Sequence, residues 1–458
     1  MNAIFKYFSV VGLFFISTNF AYALTTITSL PFNCNQANET YILSSDLSIG
    51  SGNGITVNAN NIIIDGNGHT ITYASSSGAG VAILINTNVS SLEIKNTIFT
   101  QGNYDPANNE RPHSIYRSGS ASGVKIHNNT FNIQYTGSTS GNSVYVINLI
   151  NAGNNSYNNE IHSNNINISG ESGARGINID TRHVWEGSIH HNNVFMRDLY
   201  HGPAGYARAI MVSGNGNGNG FIHNNTITLD GSIDTAQGLS TWNADNFEFY
   251  DNTINSAANH ARSILIDGDS DGNKIYRNTV NMTTQWSNAS ASAGIRVRYG
   301  SDNNIIYQNI IDASTGNSSY PLRLGGDDGL GQPTGTVIHN NTLSSKTRVI
   351  SIEEGSDIVF YNNTITPVDA GYALYFWCTS SQNCDNVSFN ADQVNGDVLF
   401  TGINGQTGAT NVAFCQSITA DDINVSSGNH QYVISQNGCP YPGVAIPMPP
   451  SNVAINQI

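Results

Sequence analysis

Apolar and polar residues alternate along most of this chain in short runs, which is the periodicity of β-strands. One stretch shows the unit most clearly. In ARSILIDGDSDGNKIYRNTVNM, residues 261–282, an apolar strand (Ile264, Leu265, Ile266) leads through a polar Gly/Asp/Asn turn into a second strand. That second strand carries a signature: an apolar residue, an aromatic residue or His, any residue, then Asn. The signature ends at Asn129, Asn164, Asn192, Asn225, Asn252, Asn278, Asn309, Asn341 and Asn363. The steps between these residues are 35, 28, 33, 27, 26, 31, 32 and 22. A period of that size predicts stacked repeats, each one coil of a solenoid.

The segments are too short, and too rich in Ile, Val, Thr and Asn, for helices. Short strands joined by loops of varying length predict an all-β chain in the form of a parallel β-helix. The recurring Asn has a physical reason. Its amide both donates and accepts, so identical residues in successive coils can bond one another at a bend. It also tolerates turn dihedrals that most residues avoid.

A length of 458 residues ordinarily suggests several domains. A solenoid removes that inference, because each coil contacts only its neighbours. The divisions expected are a signal peptide over 1–23, an N-terminal cap and first strand over 24–53, the β-helix with its last coils and cap over 54–439, and a Pro-rich tail over 440–458. Lys6, the apolar run of residues 8–16 and Ala21-Tyr22-Ala23 are the three parts of a secretory signal, so the mature protein is expected to be exported. No later stretch is apolar enough for a transmembrane span. Charged residues make up 11% of the chain and the net charge is −15, which argues against nucleic acid as a partner. The five cysteines, Cys34, Cys378, Cys384, Cys415 and Cys439, lie toward the two ends. In an exported protein, Cys378–Cys384 and Cys415–Cys439 are the simplest disulfides, with other pairings open.

The opening from Tyr41-Ile42-Leu43 to Ile71, with the nine Asn rungs, resembles the right-handed parallel β-helix superfamily of pectate-lyase-like and NosD-like repeat proteins. The resemblance covers roughly residues 40–366. It implies a single-stranded right-handed parallel β-helix of about a dozen coils, capped at both ends. The superfamily includes pectate lyases, polygalacturonases, epimerases, phage tailspikes and adhesins, so the motif specifies the fold far more sharply than the function.

Candidate chemistry emerges when the first strand of each coil is aligned. Seven of the chain's twelve Arg residues fall there: Arg175, Arg208, Arg262, Arg296, Arg298, Arg323 and Arg348. Strand alternation predicts that Arg296, Arg298 and Arg323 face solvent on adjacent coils. The same parity sends the other four inward, where an unpaired guanidinium is too costly, so they are expected at the bend beside the loops. Coils about 4.8 Å apart match the rise of an extended polysaccharide. Arg175, Arg262, Arg296 and Arg323, with Trp242 and Tyr299 as stacking faces, are therefore candidate binding residues for an anionic polysaccharide. For β-elimination or epimerisation, Arg208 or Arg298 would neutralise a uronate carboxylate while a loop base took the C5 proton. His183, His201, Tyr206 and His260 are the candidate bases. Hydrolysis is disfavoured, because neighbouring coils do not offer two acids in the outward column. Asp327 or Asp328 near Glu353 or Glu354 is the remaining acid pair.

Asp267, Asp269 and Asp271 have the D-x-D-x-D-G spacing of a calcium loop, so Ca2+ is a candidate cofactor, although Thr279 stands where a Glu would close the site. The outward column His127, His162, His190, His223, Tyr250, Tyr276, Tyr307, His339 and Tyr361 reads as a stacking platform, as a metal ladder or, preferably, as a stack that stiffens one sheet. The expectation is a carbohydrate-active protein for an acidic polysaccharide. The alternative is a non-enzymatic adhesin or glycan-binding scaffold.

Overall fold

A computed structural model describes residues 23–435, except 77–79, 103–111, 120–121, 136–143, 152–154, 171–173, 183, 198–206, 231–234, 284–291, 317–318, 327–330, 379–383, 403–407, 416–422 and 428–429. The signal segment up to Tyr22, Cys439 and the tail therefore lie outside the described residues. Every strand pair between Ala23 and Ser435 is parallel, and the described residues contain no helix. The all-β parallel β-helix expected from the repeat is what the chain forms.

The chain passes through three sheets in turn. Sheet A has 16 strands, from Ala23–Ile27 to Tyr432–Ser435; sheet C has 13, from Leu47–Ser48 to Gln393–Val394; sheet B has 15, from Phe32–Cys34 to Ile423–Val425. Successive coils pair in register, so one strand position becomes a column along the whole molecule. The inward column of sheet A runs Ile64, Ile94, Ile126, Ile161 and onward to Phe389 and Phe414 without an exposed member. Each such side chain contributes about 1.5–3 kcal/mol by leaving water. Toward the C-terminal end Ile gives way to stacked Phe, with Phe360, Phe389 and Phe414 4.4 and 5.2 Å apart in turn.

The Asn signature forms the corner between sheets A and C. The residue before each ladder Asn, from Asn128 (φ 54) to Asn362 (φ 55), adopts the left-handed conformation that turns the chain in one step. Each ladder Asn from Asn129 to Asn341 then donates its Nδ2 to the Oδ1 of the next coil's Asn, at 2.9–3.1 Å. The same Oδ1 also accepts a backbone N–H from the preceding coil, as Asn225 does from Asn192 at 3.0 Å. Every rung is buried and bonded on both sides. The ladder ends on Asp392, whose carboxylate accepts from Asn363 N and Nδ2, each at 2.8 Å, and from Asn390 N at 3.0 Å. Burial nevertheless pushes the Asp392 carboxyl up to about 7.

Cys378 and Cys384 are joined, with Cα atoms 5.7 Å apart, as expected. Cys34 is a buried free thiol in the first coils.

Candidate functional site on the outer face of sheet B

The strand carrying the Arg residues belongs to sheet B. Its second position is small in several coils (Gly176, Ala209, Gly238, Ser263, Gly294) and points inward together with the third. A Cβ on Gly176, Gly238 or Gly294 would press on backbone of the next coil and on Val194, Ile254 or Ile311 of sheet C. Two consecutive inward residues break the alternation that parity assumes. This puts the first position outside, at the bend between sheets C and B. Arg175 and Arg208 stand there in register on adjacent coils, both half-buried. Arg175 lies 4.9 Å from the Tyr145 ring centre and donates to Asn178 Oδ1 at 3.1 Å. Arg208 donates from Nε to Gln237 Oε1 at 2.9 Å. Arg262, two coils beyond Arg208, is 8% exposed. Arg348 donates to the Tyr320 hydroxyl at 2.9 Å and lies over the Tyr375 ring.

Arg296, Arg298 and Arg323 depart from expectation. Arg296 and Arg323 do pair in register on adjacent coils. They do not face solvent: Arg296, Arg298 and Arg323 are 1%, 6% and 9% exposed. The outward column from Asn148 through Asn178, Met211, Ser240, Leu265, Arg296 and Arg323 to Ser351 is buried throughout. Sheet B thus has a second interior on its outer side. Guanidinium groups stacked about 4.8 Å apart would repel, and here each mid-stripe cation is met by an acceptor from a neighbouring coil. Arg298 forms a two-pronged bond with Asp267, at 3.0 and 2.9 Å. Arg323 does the same with Glu353, at 2.8 and 2.7 Å. Arg296 donates to the carbonyls of Gly325 and Gly326. Those glycines are required, since a Cβ on either would collide with Glu354 or Glu353. Asp267 and Glu353 occupy the outward column beside the Arg stripe, where each is the counter-charge of an arginine.

Trp242 is 42% exposed, with its ring against Gly268. Tyr299 takes φ 53, unusual for an aromatic residue, and its ring lies 4.2 Å from the Arg298 guanidinium carbon. His260 begins the strand His260–Ile266 that contains Arg262. His183, His201, Tyr206, Asp327 and Asp328 lie outside the described residues.

The triple Asp does not close around one ion. Asp267 is taken by Arg298, while Asp271 belongs to a different arrangement. Asp245, Asp271 and Asp302 stack on successive coils, and each accepts the backbone N–H of the next coil at 2.7–2.9 Å. Burial, with Asp245, Asp302 and Asp269 nearby, raises the Asp271 carboxyl. Among the described residues no three His, Cys, Asp or Glu side chains are grouped to hold a metal. The set does not fit calcium, because a β-helix turn spreads these carboxylates over different contacts.

The His/Tyr column of sheet A is a continuous stack. Its nine rings lie 4.5–5.0 Å apart with planes within 11° of parallel. Each of the seven inner rings uses both faces on its neighbours, so only their edges remain for a ligand. This is the stiffening stack.

Some telling residues escaped the sequence reading. Arg117 sits in the inward column of sheet B between Ile85 and Leu149, fully buried, and burial lowers its guanidinium to about 10. Alignment of its strand, His113–Ser118, would have exposed the anomaly. Asp392 follows Phe389-Asn390-Ala391 in the frame of the Asn signature, so it too was legible as the final rung.

No protein-family model matches the chain, and no curated protein sequence matches it significantly. Solved structures with a related course include an alginate lyase from Paenibacillus sp. str. FPU-7, at 12% identity and TM-score 0.35, covering 65% of this chain and 93% of that one. A DFA-IIIase from Arthrobacter chlorophenolicus A6 in complex with GF2 has 11% identity and TM-score 0.44, covering 85% and 88%. An alginate lyase in complex with a trisaccharide has 14% identity and TM-score 0.43, covering 88% and 90%. Likeness at this level bears on neither substrate nor reaction.

Proposed function

We propose that this is an exported carbohydrate-active β-helix protein whose working face is the bend side of sheet B. On this reading it acts on an acidic polysaccharide by β-elimination or epimerisation. The observation that carries the reading is the in-register pair Arg175 and Arg208, half-buried at the bend. Their coils are about 4.8 Å apart, close to the rise of one sugar in an extended chain. Arg262 continues the same column two coils on, and the exposed indole of Trp242 offers a stacking face on the same sheet. The mid-stripe residues Arg296, Arg298 and Arg323 hold the floor rigid through their acceptors.

The chemistry follows from charge. A guanidinium on a uronate carboxylate stabilises the carbanion formed when the C5–H bond breaks. The C5 proton passes to a base, for which His183, His201 and Tyr206 are the candidates. Loss of the C4 oxygen, protonated as it leaves, completes elimination; return of a proton to the opposite face completes epimerisation. The Cys378–Cys384 disulfide supports an oxidising destination. No helix among the described residues is long and apolar enough to cross a membrane.

The test incubates the protein with pectate, alginate and a glycosaminoglycan. It follows the ultraviolet absorbance of unsaturated uronate ends, and deuterium uptake at C5 in heavy water. Activity on one polymer, cut at least tenfold by Arg208→Ala and by Arg175→Ala, is expected. Binding of a polymer with neither signal would favour the glycan-binding scaffold. That alternative has its own support: the described carboxylates Asp267 and Glu353 on this face are both tied to arginines.

A further inference from the structure

A second groove lies on a different face, the outer side of sheet A, and nothing above uses it. It has a volume of about 500 Å3 and crosses four coils, from Lys125 to Phe221. Its shape comes from a break in the side-chain column. Glu160, Ser188 and Phe221 are in register on three successive coils. The small Ser188 leaves a gap between the other two, whose strands are about 9–10 Å apart, wide enough for one sugar ring. Gly187 completes the floor. A Cβ there would point inward, onto Asn159 O and the buried Trp185 ring, so the strand lies directly on the core at this point. One wall is widened by a register shift between Ser156 and Asn159, with Asn158 at φ 56.

The groups around this gap divide into engaged and unengaged. The Glu160 carboxylate is bound by His190 at 3.0 Å and Lys125 at 3.4 Å. Glu186 lines the groove one coil further on, in register with Asn219. Among the described residues its carboxylate has no ion-pair or hydrogen-bond partner. The side-chain amides of Asn158 and Asn219 are exposed and equally unengaged. Phe221 is 41% exposed and makes no ring contact among the described residues. An exposed aromatic face beside planar carboxylate and amide groups suits a pyranose. The ring's C–H face lies on the aromatic side chain, and neighbouring hydroxyls bond in pairs to the planar groups. The uncompensated Glu186 decides the charge of the ligand, because a uronate placed here would bring its carboxylate against another.

We infer that this groove is a binding site for a neutral sugar unit, separate from the face proposed for the acidic polymer. The site would hold a neutral glycan while sheet B engages an acidic one. Because the two sites share no residue, each can fail alone.

Titration calorimetry of the full chain with cellohexaose, mannohexaose and hexagalacturonate tests it. Binding of at least one neutral hexasaccharide is expected. Phe221→Ala should weaken it at least tenfold and Glu186→Gln severalfold, with unchanged melting temperature. Both variants should leave elimination or C5 exchange on acidic polymers unaltered. The inference is overturned by no heat with either neutral hexasaccharide, by neutral binding indifferent to Phe221→Ala, or by loss of hexagalacturonate binding in these variants.

Discussion

Sheets A and B of this β-helix both repeat one kind of residue along an outer face, and they solve the resulting problem in opposite ways. On sheet A the repeated groups are rings. Nine imidazoles and phenols stack nearly parallel, and the stack lengthens without penalty because its members can be neutral. Burial and its His neighbours push His223 down to about 4, and burial does the same to His339. On sheet B the repeated group is guanidinium, which cannot shed its charge. There the repeat survives through unlike neighbours, with Asp267 under Arg298 and Glu353 over Arg323. A column of neutral side chains can repeat itself; the guanidiniums of this stripe repeat only where an acceptor from a neighbouring coil meets each of them.

The sharpest way to break this comparison is to remove one charge from a buried pair. Arg323→Met should cost about 3–5 kcal/mol in denaturant unfolding, because Glu353 would remain buried and unpaired. The double variant Arg323→Met/Glu353→Leu should recover most of that loss. Equal instability of the single and double variants would show that the pair is not the unit.

Asp392 sharpens the contrast from the other side, as one acid ending a ladder of neutral amides. Its folded value of about 7 exceeds the ordinary carboxylate value, so the folded state holds a proton that the unfolded chain has released. Its contribution is then complete below about pH 4 and is lost as pH rises toward 7, by up to about 4 kcal/mol. Asp392→Asn should flatten the melting temperature across that window and raise it at pH 8. An unchanged pH profile would mean that the three N–H donors already hold the ionised form.

The stacked rings should respond less than either. His223 titrates low in the folded protein, so the unfolded chain binds more protons between about pH 4 and 6.5, and stability falls as pH drops through that range. His223→Tyr keeps the stack and should be nearly silent at pH 7, while removing part of the acid-side loss. A marked effect at pH 7 would point to the Ser188–His223 contact at 3.0 Å rather than to stacking. Smaller still, Asp271→Asn keeps the acceptor for Asp302 N and relieves like-charge crowding, with a gain below about 1 kcal/mol.

The columns themselves were legible in the sequence. Alternation, the nine Asn rungs and the aligned Arg strand follow from spacing alone, since parallel stacking carries a one-dimensional repeat directly into space. The stacking of the His/Tyr rings and the Arg296–Arg323 register followed in the same way. Asp392 was legible as well, one repeat beyond the point where the pattern seemed to stop.

Exposure was not legible. Whether an outward side chain meets water depends on what covers its sheet, and covering is a relation between coils that no single strand records. Arg296 has the sequence context of a surface residue and the surroundings of a core one, held by carbonyls of Gly325 and Gly326 about thirty residues later. The gap at Ser188 is likewise invisible within its own strand. It exists only because Glu160 and Phe221, distant along the chain, stand on either side of it. The repeat fixed which residues share a column; the tertiary structure decided which columns are open, because burial and charge pairing are settled between coils.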